Sequence, residues 1–289
     1  MNAPLNLPAN PVAKALWYIE NNFAGELMLD EIANVAGVSR YHVSRAFGEA
    51  IGRPITRYVR GRRLTEAAKA LASGATDILT VALEVGYGSH EAFTRAFREQ
   101  FGLTPESVRA QRHVDNIALV EAHNMDMVMN HSVLKELAEP RFETRKAFLV
   151  AGLSARYDYE SCGGGIPAQW QRFAPYIGSV AGQVGSDAYG VRYNSDDNGL
   201  DYLCGVEVGE FSQLPPELSR VRVPANRYAV FTHHGHISAI RSTWSTIWSK
   251  WLPKSGHQIA DAPDFERYDA RFDPRSGNGE VEIWVPLKG

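Results

Sequence analysis

Apolar residues recur at helical spacing through the first hundred positions. Ala15, Leu16 and Ile19 share a face of a segment running from Ala13 to Asn22, opened by Pro11. Asp30 and Glu31 place acid in the first turn of a second helix, where the helix dipole favours it. Ile32, Ala33, Val35 and Ala36 follow, and Gly37 permits a tight turn. Ser39 is suited to cap a third helix, whose positions Val43, Ala46, Phe47 and Ala50 lie three and four apart. Pro54 opens a fourth, Ile55 to Leu71, which ends by Gly74. The plan then repeats. Asp77 caps a helix bearing Ile78, Val81, Ala82 and Val85; Gly86-Tyr87-Gly88 turns the chain; Ser89 caps a helix with Phe93, Ala96, Phe97 and Phe101 inward.

The two capped helices share a frame. SRYHVSRAFGEAIG begins at Ser39 and SHEAFTRAFREQFG at Ser89, with Ser, Arg, Ala, Phe, Glu and Gly at equivalent places. The retained residues are the cap, the inward stripe and one arginine. The outward positions differ: Arg40, Tyr41 and Ser44 beside Arg45 in the first, His90, Glu91 and Thr94 beside Arg95 in the second. Helix, short glycine turn and helix with a variable polar face is the helix-turn-helix pattern, here present twice. Such a helix enters a major groove, and two heads can occupy successive grooves about 34 Å apart.

After residue 113 the pattern changes. Residues 114–139 carry no decisive periodicity and are set apart as a linker. Phe148–Leu153, Tyr202–Val208, Tyr228–Thr232 and Val281–Leu287 read as strands; Ala168–Phe173 and Thr243–Trp248 read as helices. A strand–helix–strand–strand plan thus occurs twice. The expected fold is multi-domain: an all-α double helix-turn-helix domain over 1–113 and an α+β domain over 140–289, with a ligand groove between its halves.

Composition sharpens this division. Residues 1–139 hold 10 Phe, Trp and Tyr, and residues 140–289 hold 20. Residues 1–113 contain 13 Lys and Arg against 11 Asp and Glu, although the whole chain is at −3. Arg57, Arg60, Arg62 and Arg63 follow Arg53 without an intervening acid, as a phosphate-facing helix would require. No apolar run approaches the length of a membrane span, and no secretory signal is visible, so a cytoplasmic location is expected.

Two family resemblances attach to these motifs. IANVAGVS (32–39) with RAF (45–47), then ALEVGYGS (82–89) with FTRAFREQFGLTP (93–105) and Arg109, resemble the DNA-binding domain of the AraC/XylS regulators. That resemblance implies base contacts at Arg40, Tyr41, Ser44, Arg45, His90, Glu91, Thr94 and Arg95. Where many relatives carry Trp and Gln, this chain has Tyr41 and His90. YAVFTHHGH (228–236), WSTIWSKWLP (244–253), DFERY (264–268) and the closing VEIWVPL resemble a GyrI-like effector-binding domain. It implies an acidic groove residue on the final strand, Glu282, accompanied by Trp284, Trp244, Trp248, Tyr228 and Tyr268. The implied partners are duplex DNA, a small amphipathic or cationic ligand and RNA polymerase, with neither cofactor nor membrane.

Other features suggest less. Asp264, Glu266 and Asp269 read as a carboxylate-rich surface loop. His233, His234 and His236 alternate across a strand and have no evident acid or thiol partner for a metal. Gly163-Gly164-Gly165 lacks the Lys-Ser/Thr of a phosphate cradle, and Cys162 and Cys204 read as structural or loop thiols. A hydrolase in which Glu282 is a general base assisted by Tyr228 or Tyr268, and a protein-binding module, are the competing functions for the second domain.

Overall fold

The computed structural model describes residues 10–123, 134, 136–158, 162–196, 199–212 and 214–289, with 162–164 described by backbone alone. It divides into two compact units: Met1–Val43 with Ile55–Met129, and Ser44–Pro54 with Asn130–Gly289.

The first unit is helical. It contains α1 (Pro11–Asn22), α2 (Leu29–Ala36), the first turn of α3 (Arg40–Ile51), α4 (Ile55–Ala72), α5 (Ile78–Glu84), α6 (His90–Phe101) and α7 (Pro105–Gln111). The expected caps form. The Ser39 and Ser89 hydroxyls each accept from the backbone N–H three residues on, and Asp77 accepts from those of Leu79 and Thr80. Gly37 and Gly86 take φ of 74° and 82°, which side-chain-bearing residues adopt at a cost. The second helix-turn-helix closes on one core. Ile78, Val81 and Ala82 of α5, Phe93, Ala96 and Phe97 of α6, and Leu64, Ala68 and Leu71 of α4 are all buried in it.

The start of the expected linker belongs to this core as well. Ile117 is buried there, Val120 N donates to Thr65 Oγ1, and a methyl at Gly61 would meet the Val120 side chain. Residues 124–133 and 135 of the linker lie outside the described residues.

The second unit is a curled antiparallel sheet with helices on one face. Its strands are β1 (Arg141–Arg145), β2 (Phe148–Asp158), β3 (Gln183–Tyr193), β4 (Gly199–Val208), β5 (Ser219–Val223), β6 (Asn226–His236), β7 (Asp264–Tyr268), β8 (Phe272–Asp273) and β9 (Asn278–Leu287). Its helices are α8 (Cys162–Phe173) and α9 (Ile240–Thr246); a π turn (Ile247–Trp251) carries α9 into α10 (Leu252–Ser255). The strand order is β1-β6-β9-β7-β3-β4-β2-β5, with β8 on β9.

That order exposes the duplication. In each half the strand before the helix lies outermost, the strand after it lies centrally, and the third fills the gap: β2, β3, β4 in one half and β6, β7, β9 in the other. The central strands β3 and β7 pair with each other. The short strands β1 and β5 cross over, each pairing with the opposite half. Their short runs, with no helix to announce them, escape a periodicity reading.

The sheet curls around its uncovered face. Phe148 of β2 and Tyr228 of β6, from opposite halves, both pack edge-on against Phe265 at the centre, at 5.3 and 5.4 Å between ring centroids. Val150, Tyr189, Val191, Leu203, Val230 and Trp284 complete this concave core.

Candidate DNA interface and ligand site

The second helix-turn-helix leaves its four named residues at the surface of α6. Glu91 and Arg95 are exposed, and His90 and Thr94 half-buried, on α6. All four line one open groove with Arg98, Glu99 and Gly102. His90 stands 3.7 Å from Glu106, the acid in the first turn of α7. A second cleft, between α4 and α6, is bordered by Arg60, Arg63, Tyr87, Arg95 and Glu99 above an apolar floor that includes Leu29, Ile32 and Val59.

The first head differs. Arg40 is exposed, with Asp30 as a partner at 3.3 Å, and Tyr41 is half-buried. Ser44 and Arg45 are buried, Arg45 completely. Helical spacing alone sets them outward on α3; residues of the second unit, distant in sequence, enclose them.

The arginine run also needs correction. Arg62 is 6% exposed, held by Glu20, Glu66 and the Val120 carbonyl. Arg63 donates to the carbonyls of Phe23 and Gly25, so it ties α4 to the end of α1. Arg60 pairs with Glu99 of α6. These three guanidinia hold helices together, and Arg57 is exposed on the same helix. A charge run shows that a helix is basic; it does not show which charges have internal partners.

Two acidic residues stand beside aromatic clusters, Glu266 and Glu282. Residues paired across antiparallel strands point to the same face, and the register sets Glu266 opposite Gly190 and Ile283, and Arg267 opposite Glu282. Glu266 and Glu282 therefore face opposite sides of the sheet. Glu266 lies on the helix-covered side, 6% exposed. Its Oε2 accepts from the hydroxyls of Tyr202 and Tyr268, both at 2.8 Å, and its Oε1 from Trp244 Nε1 at 2.8 Å. Trp170 of α8 donates to the Tyr202 hydroxyl at 3.0 Å and meets the Tyr268 ring edge-on at 4.9 Å. Trp170 and Tyr268, both half-buried, form the outer edge of this cluster.

Burial pushes the Glu266 carboxyl above its usual range, although the three donors and the nearby Arg192 charge act the other way. The same burial, with the carboxylate beside them, raises the Tyr202 and Tyr268 hydroxyls well above the ordinary tyrosine value.

Glu282 has a different setting. It accepts from Arg271 at 2.6 Å, Trp284 at 3.0 Å and Arg267 at 3.3 Å, and pairs with Arg141 at 2.8 Å. Burial alone would raise this carboxyl, but Arg271, Arg141 and Trp284 hold it below the usual range. Trp284 and Tyr228 belong to the concave core on that side, so the expected group of six splits. Trp244 and Tyr268 surround Glu266, while Trp248 stacks on Trp244 at 6.4 Å. Tyr202 and Trp170 were not expected. Asp264, Glu266 and Tyr268 alternate along DFERY, as a strand requires, and the segment forms β7 and not a surface loop. His233, among the histidines, is buried against Thr243 and the His236 carbonyl.

The GyrI-like small molecule binding domain family matches residues 138–288, and a helix-turn-helix domain family matches 32–111. Transcriptional regulator Rob of Salmonella typhimurium is 39% identical, over 97% of this chain and 99% of its own. Transcriptional regulator BrlR of Pseudomonas aeruginosa is 34% identical over 51% of this chain and 54% of its own. A solved structure, SAV2435 bound to tetraphenylphosphonium, is 17% identical over 53% of this chain and 95% of its own, with a TM-score of 0.45. No helix among the described residues is long and apolar enough to cross a membrane. The chain belongs to the AraC-family transcription regulators that bind DNA through helix-turn-helix units and carry a C-terminal GyrI-like small-molecule binding domain.

Proposed function

We propose that the second unit senses an amphipathic monocation at Glu266 and that the regulator acts on RNA polymerase at the promoters it binds. The carrying observation is the placement of Glu266: a buried carboxylate on the helix-covered face, held by two tyrosine hydroxyls and an indole N–H. A desolvated carboxylate gains most from a cation, and aromatic faces favour a cation that is itself weakly hydrated. Trp170 and Tyr268 are the rings a ligand must part to reach it.

The catalytic alternative assigned general-base work to Glu282. The four partners on its two oxygens, and its lowered pKa, oppose proton abstraction there. Binding without turnover is the reading these observations support.

For the DNA reader, the groove along α6 supports base contact by His90, Glu91, Thr94 and Arg95. Calorimetric titration of the full chain with tetraphenylphosphonium, an aromatic monocation, tests the ligand assignment, with neutral triphenylphosphine oxide as control. The wild type is expected to bind the cation, and Glu266→Gln to lose at least tenfold in affinity for the cation but not for the neutral compound. Equal affinity of both proteins for the cation would remove Glu266 from the site.

A further inference from the structure

Arg45 is set on the reading face by the repeated frame, yet it has no exposed surface. Within the second unit its guanidinium grips the Asp264 carboxylate at both ends, Nη2 to Oδ1 at 3.1 Å and Nη1 to Oδ2. It also lies 4.9 Å from the centroid of the Trp248 ring. One helical turn on, Glu49 pairs with Arg192, whose Nε stands 3.7 Å from Asp264. Asp264 and Arg192 are themselves cross-strand partners at the centre of the sheet, on β7 and β3. A positive and a negative residue four apart on α3 thus meet a negative and a positive residue side by side on the sheet. The four side chains are 0–10% exposed.

Burying four charges is tolerated only when each has its partner, and removing one partner leaves another charge uncompensated. This pairing therefore specifies how Arg45 and Glu49 pack against β3 and β7 within the second unit. The Asp264 carboxylate stands where a guanine edge or a phosphate would meet the guanidinium. Arg192 further lies over Trp244, 4.4 Å from its ring centroid, and Trp244 is the indole that donates to Glu266.

We infer that Asp264 and Arg192 form a clasp that holds Arg45 and Glu49 of α3, so that DNA must displace Asp264 before Arg45 can read a base. The inference rests on Arg45 being a base reader. The clasp shares Trp244 with the Glu266 cluster, so the proposed ligand site and the restraint on α3 have a side chain in common.

The test uses the full chain and a duplex selected by the wild type from a random pool. Asp264→Asn keeps the shape and removes the charge that holds Arg45; Glu49→Gln loosens the other pair without touching the sheet. Each variant is expected to bind the duplex at least tenfold more tightly than wild type. Amide exchange over residues 44–51 should accelerate by a similar factor while that of β4 stays slow. If Asp264→Asn exposes β4 as well, Glu49→Gln decides. Affinity and exchange within twofold of wild type, or faster exchange with no gain in affinity, would overturn the clasp. Arg45→Ala, added to the looser variant, separates the two ideas. Loss of the gained affinity is expected; full retention means that Arg45 reads no base, and the reading of the first head fails with it.

Discussion

Gly190 of β3 and Glu266 of β7 face each other across the central strand pair, and the register leaves no room for a side chain at Gly190. A methyl there would stand 2.0 Å from the Tyr202 hydroxyl and 2.8 Å from the Glu266 carboxylate. The missing side chain is what lets Tyr202 cross β3 to reach Glu266. Gly190→Ala is expected to destabilise by about 1–3 kcal/mol through overpacking. It should also abolish cation binding under conditions where the variant stays folded. Denaturant unfolding and calorimetry on the same sample check both; a variant that binds as wild type would mean that the Tyr202–Glu266 contact is dispensable.

Glu266 should also give a signature in pH. Its folded pKa is raised by burial, so above the ordinary glutamate range the folded state keeps a proton that the unfolded chain has released. Stability from this group is therefore full below its unfolded pKa and lost as pH rises through the folded one. Glu266→Gln should show no such decline. The expected result is a melting-temperature difference, wild type minus variant, that falls with pH across this window. Affinity for a monocation should rise over the same window as the carboxylate ionises.

Glu282 predicts the reverse sign. Its folded pKa is lowered, so its contribution is present above the ordinary glutamate range and lost as pH falls through the folded value. Glu282→Gln leaves Arg141, Arg267 and Arg271 without their shared carboxylate. Because these arginines are 31–44% exposed, the expected loss is below that of a fully buried pair, about 1–3 kcal/mol near neutral pH. Ligand affinity should be unchanged, which calorimetry can check.

The arginines of α4 and α6 separate reading from packing. Arg95→Ala should lose about 1–3 kcal/mol on the selected duplex and relax base preference in one half of it. Arg57→Gln should weaken binding to every duplex and reduce the salt slope by about one. Arg62→Gln should instead lower the melting temperature and leave that slope alone, because its guanidinium is occupied by Glu20, Glu66 and the Val120 carbonyl. A reduced slope in Arg62→Gln would contradict that assignment.

Much of this protein is determined by sequence alone, because local rules act over a few residues. The caps Ser39, Asp77 and Ser89 satisfy backbone donors two or three positions away, and Gly37 and Gly86 supply the left-handed turns between helices. The repeated frame, the strands at 202–208 and 281–287 and the duplicated plan follow from the same short-range patterns. What those patterns leave open is the partner. Arg45, Arg62 and Arg95 are equally charged in the sequence. Tertiary structure places one against Asp264, one against Glu20 and one in an open groove. The same holds for the acids. Glu266 and Glu282 both sit in strands, but only the register of β7 on β9 decides that they point to opposite faces. One faces ring donors under the helices and the other a set of arginines, because side-chain direction in a sheet is fixed by pairing with strands far away in the chain.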